Sequence, residues 1–144
     1  MEQIIISAAQ RRAARIARRW RIGILLVLIV LAVAYLGVSA SIGRGVRSIS
    51  ETALQSFPGD PVLALMQLVE SDGHSMRDRN RAIWALGQLG DPRALPLLGK
   101  HFTGGESDER TELSQYELKK AIALCEGATN ISAFVWRHGA LAAR

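Results

Sequence analysis

From Ile22 to Gly43 the chain carries no charged side chain. The run Ile22 to Val38 reads IGILLVLIVLAVAYLGV and is built almost wholly from Leu, Ile, Val, Ala and Gly. As a helix, 22–43 would be ~33 Å long, enough for a hydrocarbon core of ~30 Å. A soluble amphipathic helix keeps a polar stripe on its solvent face, and this stretch has none. A single transmembrane helix over 22–43 is therefore predicted, with Trp20 and Tyr35 as interface residues. The rival reading is a cleavable signal, for which Val38-Ser39-Ala40 supplies the small residues. The apolar run exceeds the ~7–15 residues usual for a signal, so a retained anchor is expected.

Charge gives this segment a direction. The chain of 144 residues has a formal charge of +5, but residues 1–47 hold eight arginines against the single acid Glu2. The remainder is mildly acidic. The basicity thus belongs to the N-terminus and does not mark a nucleic-acid-binding domain. Arg11, Arg12, Arg15, Arg18, Arg19 and Arg21 precede the apolar run, whereas only Arg44 and Arg47 follow it closely. Basic flanks stay in the cytoplasm. The expected topology places a basic cytoplasmic tail at 1–21 and the C-terminal domain outside the inner membrane, in the periplasm if the source is bacterial. Residues 2–19 read equally as a basic helix on the inner leaflet or as a positive tail.

Beyond Gly43-Arg44-Gly45, expected to break the helix, the pattern becomes amphipathic and helical. Start signals follow in series. Ser48 with Glu51, Ser75 with Asp78 and Ser114 with Glu117 resemble capping boxes. Asp60-Pro61 and Asp91-Pro92 place an N-cap before a proline at the first helical position. Asn130 is a further cap. Gly59-Asp60-Pro61 recurs as Gly90-Asp91-Pro92, and RAIWAL, Arg81 to Leu86, recurs as KKAIAL, Lys119 to Leu124. No strand-like alternation appears. An all-α fold with about three helix pairs over 46–139 is predicted, followed by a tail at 140–144.

The stretch RNRAIWALGQLGDPRALPLL, Arg79 to Leu98, resembles a HEAT-type repeat of the short, phycobilisome-lyase-like class. The matching features are Ala82, Ala85-Leu86-Gly87, Leu89-Gly90-Asp91-Pro92, Ala94 and Leu97-Leu98. The resemblance implies a short α-solenoid of antiparallel helix pairs with a protein-binding or scaffolding role. It does not extend to the membrane segment. Such repeats bury their apolar faces only by stacking. The expected seam uses Leu65, Leu68, Val69, Ile83, Leu86, Leu89, Leu95 and Leu98, then Ile122, Leu124, Phe134 and Val135.

Few residues suggest chemistry. Cys125, the only cysteine, cannot form an internal disulfide and reads as a buried small residue. His74, His101 and His138 have no metal-ligand spacing, and His101 suits the C-terminal dipole of a helix. No catalytic, cofactor-binding or metal-binding residue is predicted, nor any small-molecule substrate. The candidate partner-binding residues are Arg77, Arg79 and Arg81, clustered near one helix start, and Phe134 and Trp136 on the last helix. The loop 103–113, TGGESDERTEL, reads as solvated and mobile. These features together predict a non-catalytic membrane-anchored scaffold whose partners are the lipid bilayer and a protein, and which serves as an accessory subunit of a membrane complex. The alternatives are a cytoplasm-facing regulatory scaffold and a tethered enzyme using Cys125 or a histidine.

Overall fold

The computed structural model describes residues 2–138, with side chains described over 18–133 and 135–137. The expected tail at 140–144 and the side chains of Arg11, Arg12, Arg15 and Phe134 lie outside the described residues. The described residues hold six α-helices and no strand, so the fold is all-α. The helices are α1 (Glu2–Ser56), α2 (Pro61–Glu70), α3 (Met76–Leu89), α4 (Leu95–His101), α5 (Gln115–Cys125) and α6 (Ile131–His138). A 3-10 turn, Pro92–Ala94, leads into α4. The chain divides into two compact units, Met1–Val38 and Ser39–Arg144.

Within the first unit, α1 is long and apolar enough to cross a membrane. Its large side chains, among them Trp20, Leu25, Leu28, Val30, Leu31 and Leu36, are exposed.

In the second unit, the break expected at Gly43-Arg44-Gly45 does not occur, and α1 continues to Ser56. Neither glycine takes a positive φ. Each instead allows an indole to approach. A Cβ at Gly43 would lie 2.9 Å from Trp136 Cβ, and one at Gly45 would lie 3.1 Å from the Trp84 ring. Glycine in a helix interior costs about 1 kcal/mol relative to alanine, too little to stop a helix with apolar turns on both sides. Accordingly Ser48 is an interior helical residue, and its carbonyl accepts from the Thr52 hydroxyl.

The other predicted starts appear where local chemistry places them. Asp60 Oδ1 accepts from the Val62 and Leu63 amides at 2.9 and 3.1 Å. Ser75 and Ser114 cap α3 and α5 by accepting from Asp78 N and Glu117 N. Asn130 Oδ1 accepts from Ala133 N at the start of α6. Each satisfies an amide that has no partner inside its helix. Asp91 caps the 3-10 turn by accepting from Arg93 N. Gly90 closes α3 in the left-handed region at φ 62°, a conformation that favours glycine.

The core joins these elements. Val46, Ile49 and Ala53 of α1 are buried with Leu65, Leu68 and Val69 of α2, Ile83 and Leu86 of α3, Leu98 of α4, and Leu118 of α5. α3 packs against both α2 and α5, and α4 packs against α5. The α3–α5 approach is close at Gly87, where a Cβ would come within 2.7 Å of Ala121 Cα. Leu89, Leu95 and Ile122, expected in the seam, are partly buried against this core.

Candidate interaction surface

The three clustered arginines have different environments. Arg77 and Arg81 stand one turn apart on α3 and are exposed. Arg79 points elsewhere because successive helical residues are rotated by about 100°. It is only 9% exposed. Its Nε donates to the Val69 carbonyl at 2.8 Å and its Nη1 to Asp72 Oδ1 at 3.0 Å. The arginine fork thus ties the end of α2 and the following turn to α3, and its polar atoms are satisfied as burial requires. It is not available to a partner, contrary to the expectation from sequence.

Trp136 also differs from its expected role. It is 9% exposed, with its Cβ against the backbone of Gly43. This apolar surface is covered by α1 of the same chain. The neighbouring Arg137 donates from Nη2 to the Gln88 carbonyl near the end of α3, the helix end that favours a cation. Burial holds the Arg137 guanidinium below its ordinary pKa. No local sequence signal marks Arg137, because its contacts lie across the fold.

Among the described residues, a cationic surface lies where α3 meets the loop after α4. Arg77, Arg81, Trp84, Glu109, Arg110 and Glu117, with Asn80, line an open groove of about 430 Å³. Asn80 builds one wall: its Nδ2 donates to the Glu109 and Glu112 carbonyls, and its Oδ1 accepts from Ser114 N. Gln115 secures the other end of the loop by accepting from Thr103 N and donating to the His101 carbonyl. The loop expected to be simply mobile is therefore tied at several points, although most of its residues are exposed. Glu109 accepts from the Ser114 hydroxyl at 2.6 Å.

The two Gly-Asp-Pro turns are linked by charge. Arg93 reaches Asp60 Oδ2 at 3.3 Å and Asp91 Oδ2 at 2.7 Å, joining the cap of one helix to the corresponding cap further along the chain. The Leu63 amide first, and then Arg93, hold Asp60 below its ordinary pKa. For Asp91 the Arg93 side chain is the leading cause. The group is exposed, so its main consequence is orientation of the turns.

Two of the groups with possible reactivity, Cys125 and His74, have hydrogen-bonding partners within the fold. Cys125 is buried, and its thiol donates to the Leu86 carbonyl at 3.6 Å. Burial pushes that thiol up to about 11, away from the thiolate needed for nucleophilic attack. His74 has one ring nitrogen against Ser71 Oγ and the other against Ser56 Oγ. Burial lowers the pKa of His101. Among the described residues no group of three or more His, Cys, Asp or Glu side chains is placed to hold a metal ion.

Part of this arrangement matches a known family model. Residues 78–103, running from α3 through the Asp91 cap and α4, match the family model described as PBS lyase HEAT-like repeat. No curated protein and no solved structure matches the chain. The match supports a HEAT-like repeat in this chain and, with it, a protein-interaction scaffold.

Proposed function

We propose that the protein is a non-catalytic, single-pass membrane scaffold, with its helical-repeat domain docking a protein partner at the membrane surface as an accessory subunit of a membrane complex. The observation that carries this reading is the apolar stretch of α1, which leaves Ile24 to Leu31 exposed while the second unit encloses its own core. Exposed apolar area costs roughly 25 cal/mol per Å² in water, so a bilayer is a suitable solvent for that stretch. The arginines up to Arg21 favour an N-terminus inside and the repeat domain outside the inner membrane. The packing of α3 between α2 and α5, and the Arg93 link between successive caps, favour a short solenoid of about three antiparallel helix pairs. Confinement to a membrane would raise the effective concentration of the partner.

Alkaline carbonate extraction of cells expressing the full chain tests the anchor. The protein is expected in the membrane pellet, and recovery as a dissolved monomer would overturn the reading. Phosphatase and fluorescent-protein fusions at the C-terminus test orientation. Phosphatase activity without fluorescence is expected, whereas the reverse pattern would turn the domain toward the cytoplasm. Mild-detergent purification followed by mass spectrometry tests the accessory role, which predicts a stoichiometric membrane-complex partner.

A further inference from the structure

Six arginines lie between α2 and the end of α6, and they fall into two sets. Arg79, Arg93 and Arg137 each have a hydrogen-bonded acceptor within the fold. Arg77, Arg81 and Arg110 have no side-chain acceptor among the described residues, and all three line the groove beside Trp84. The fold gives three of these arginines acceptors of its own and gathers the other three at one place. We propose that this groove binds an acidic peptide segment of a partner protein, in extended conformation, with carboxylates two residues apart. The proposal rests on the protein-interaction reading above and specifies its surface.

Spacing and charge both favour that occupant. Arg77 and Arg81 are separated by four helical residues, a rise of ~6 Å. Side chains two apart on an extended strand lie ~6.6 Å apart on one face. A segment of the form acid-x-acid therefore presents its carboxylates at about the axial pitch of the two arginine positions on α3. Arginine forks suit planar carboxylates through paired, charge-assisted hydrogen bonds. Arg110 extends the cationic wall from the loop, and the indole of Trp84 offers an apolar surface for a residue flanking the acids. Glu109 and Glu117 face the same groove. They would repel a uniformly anionic bilayer surface, whereas a peptide can place a neutral or basic residue opposite each.

The test uses the full chain in phosphatidylcholine nanodiscs. Anisotropy is followed for a fluorescein-labelled peptide of alternating Glu and Leu, with a Gln-for-Glu peptide as control. Saturable binding is expected for the Glu peptide alone, weakened about tenfold or more by Arg77→Glu with Arg81→Glu. Lys119→Glu with Lys120→Glu, on exposed positions of α5 outside the groove, should change it less than about twofold. Both variants should keep the parent far-UV spectrum. Phenylglyoxal modification, mapped by mass spectrometry, should be blocked at Arg77 and Arg81 by the Glu peptide. Absence of saturable binding, equal affinity in the Arg77→Glu/Arg81→Glu variant, or equal loss in the lysine variant would overturn the proposal. So would protection of these arginines by phosphatidylserine nanodiscs but not by peptide, which would assign the groove to lipid. If a partner still co-purifies in mild detergent when peptide binding fails, the groove assignment falls and the scaffold reading stands.

Discussion

Leu28 and Leu86 are the same residue type in helices of the same chain, with opposite environments. Leu28 in the first unit is 57% exposed, whereas Leu86 in the second is 0% exposed. The first unit presents large apolar side chains to its surroundings. The second interleaves such side chains with Ala82, Ala85, Gly87 and Ala121, small residues that let helices approach. Hydrophobic content alone therefore does not make a core. A core also requires a neighbouring element within contact distance and small residues to admit it.

Replacing each leucine by alanine tests the contrast most strongly. Leu86→Ala should destabilise the second unit by about 2–5 kcal/mol, since a buried side chain leaves a cavity. Leu28→Ala should leave its unfolding midpoint unchanged. Circular-dichroism melts in detergent measure both, and equal effects would erase the distinction. Charge tests the other side. Val30→Arg should raise the free energy of membrane insertion by about 3 kcal/mol while sparing the second unit. Carbonate extraction and the same melts read out the two effects.

Smaller changes probe how the second unit achieves its packing. Gly87→Val should cost about 1–3 kcal/mol because its new Cβ meets the α5 backbone. Denaturant unfolding of the full chain measures that loss, and a neutral result would show that α3 and α5 separate freely. Asp60→Ala should lower stability slightly through loss of the α2 cap. The same experiment on Asp60→Asn should recover part of it, since asparagine also caps.

The smallest expected effect is with pH. Burial, the leading cause, depresses the His101 pKa in the folded state, so the unfolded chain takes up that proton first on acidification. Stability should consequently fall as the pH drops through about 6.5 and below. Asp60, Glu70 and Asp91 also have lowered folded values. Their contribution is present above the ordinary carboxylate range and is lost as the pH falls through their lowered values, below ~4. Melts from pH 8 to pH 3 should show both declines, and His101→Gln should reduce the first.

The legibility of these features follows the range of the forces behind them. The starts at Asp60, Ser75, Ser114 and Asn130 were visible because a cap binds an amide two or three residues away. Gly90 was visible for a similar reason, as part of a turn. Gly43 and Gly45 show where that reasoning stops: their neighbours are Trp136 and Trp84, far along the chain. Arg79 resembles Arg77 and Arg81 in sequence, but a helical rotation sends it toward Val69 and Asp72. The groove similarly needed the loop around Arg110 to be brought to α3 by Asn80.

The sequence by itself determined an apolar helix long enough for a bilayer, an all-helical remainder and most of its helix starts, because composition, periodicity and capping act over a few residues. Only the tertiary structure decided that α1 continues through its glycines, that Arg79 and Trp136 turn inward, and that three arginines without acceptors among the described residues share a groove. Those outcomes depend on contacts between distant segments, where packing and hydrogen bonding select among conformations that local preferences leave open.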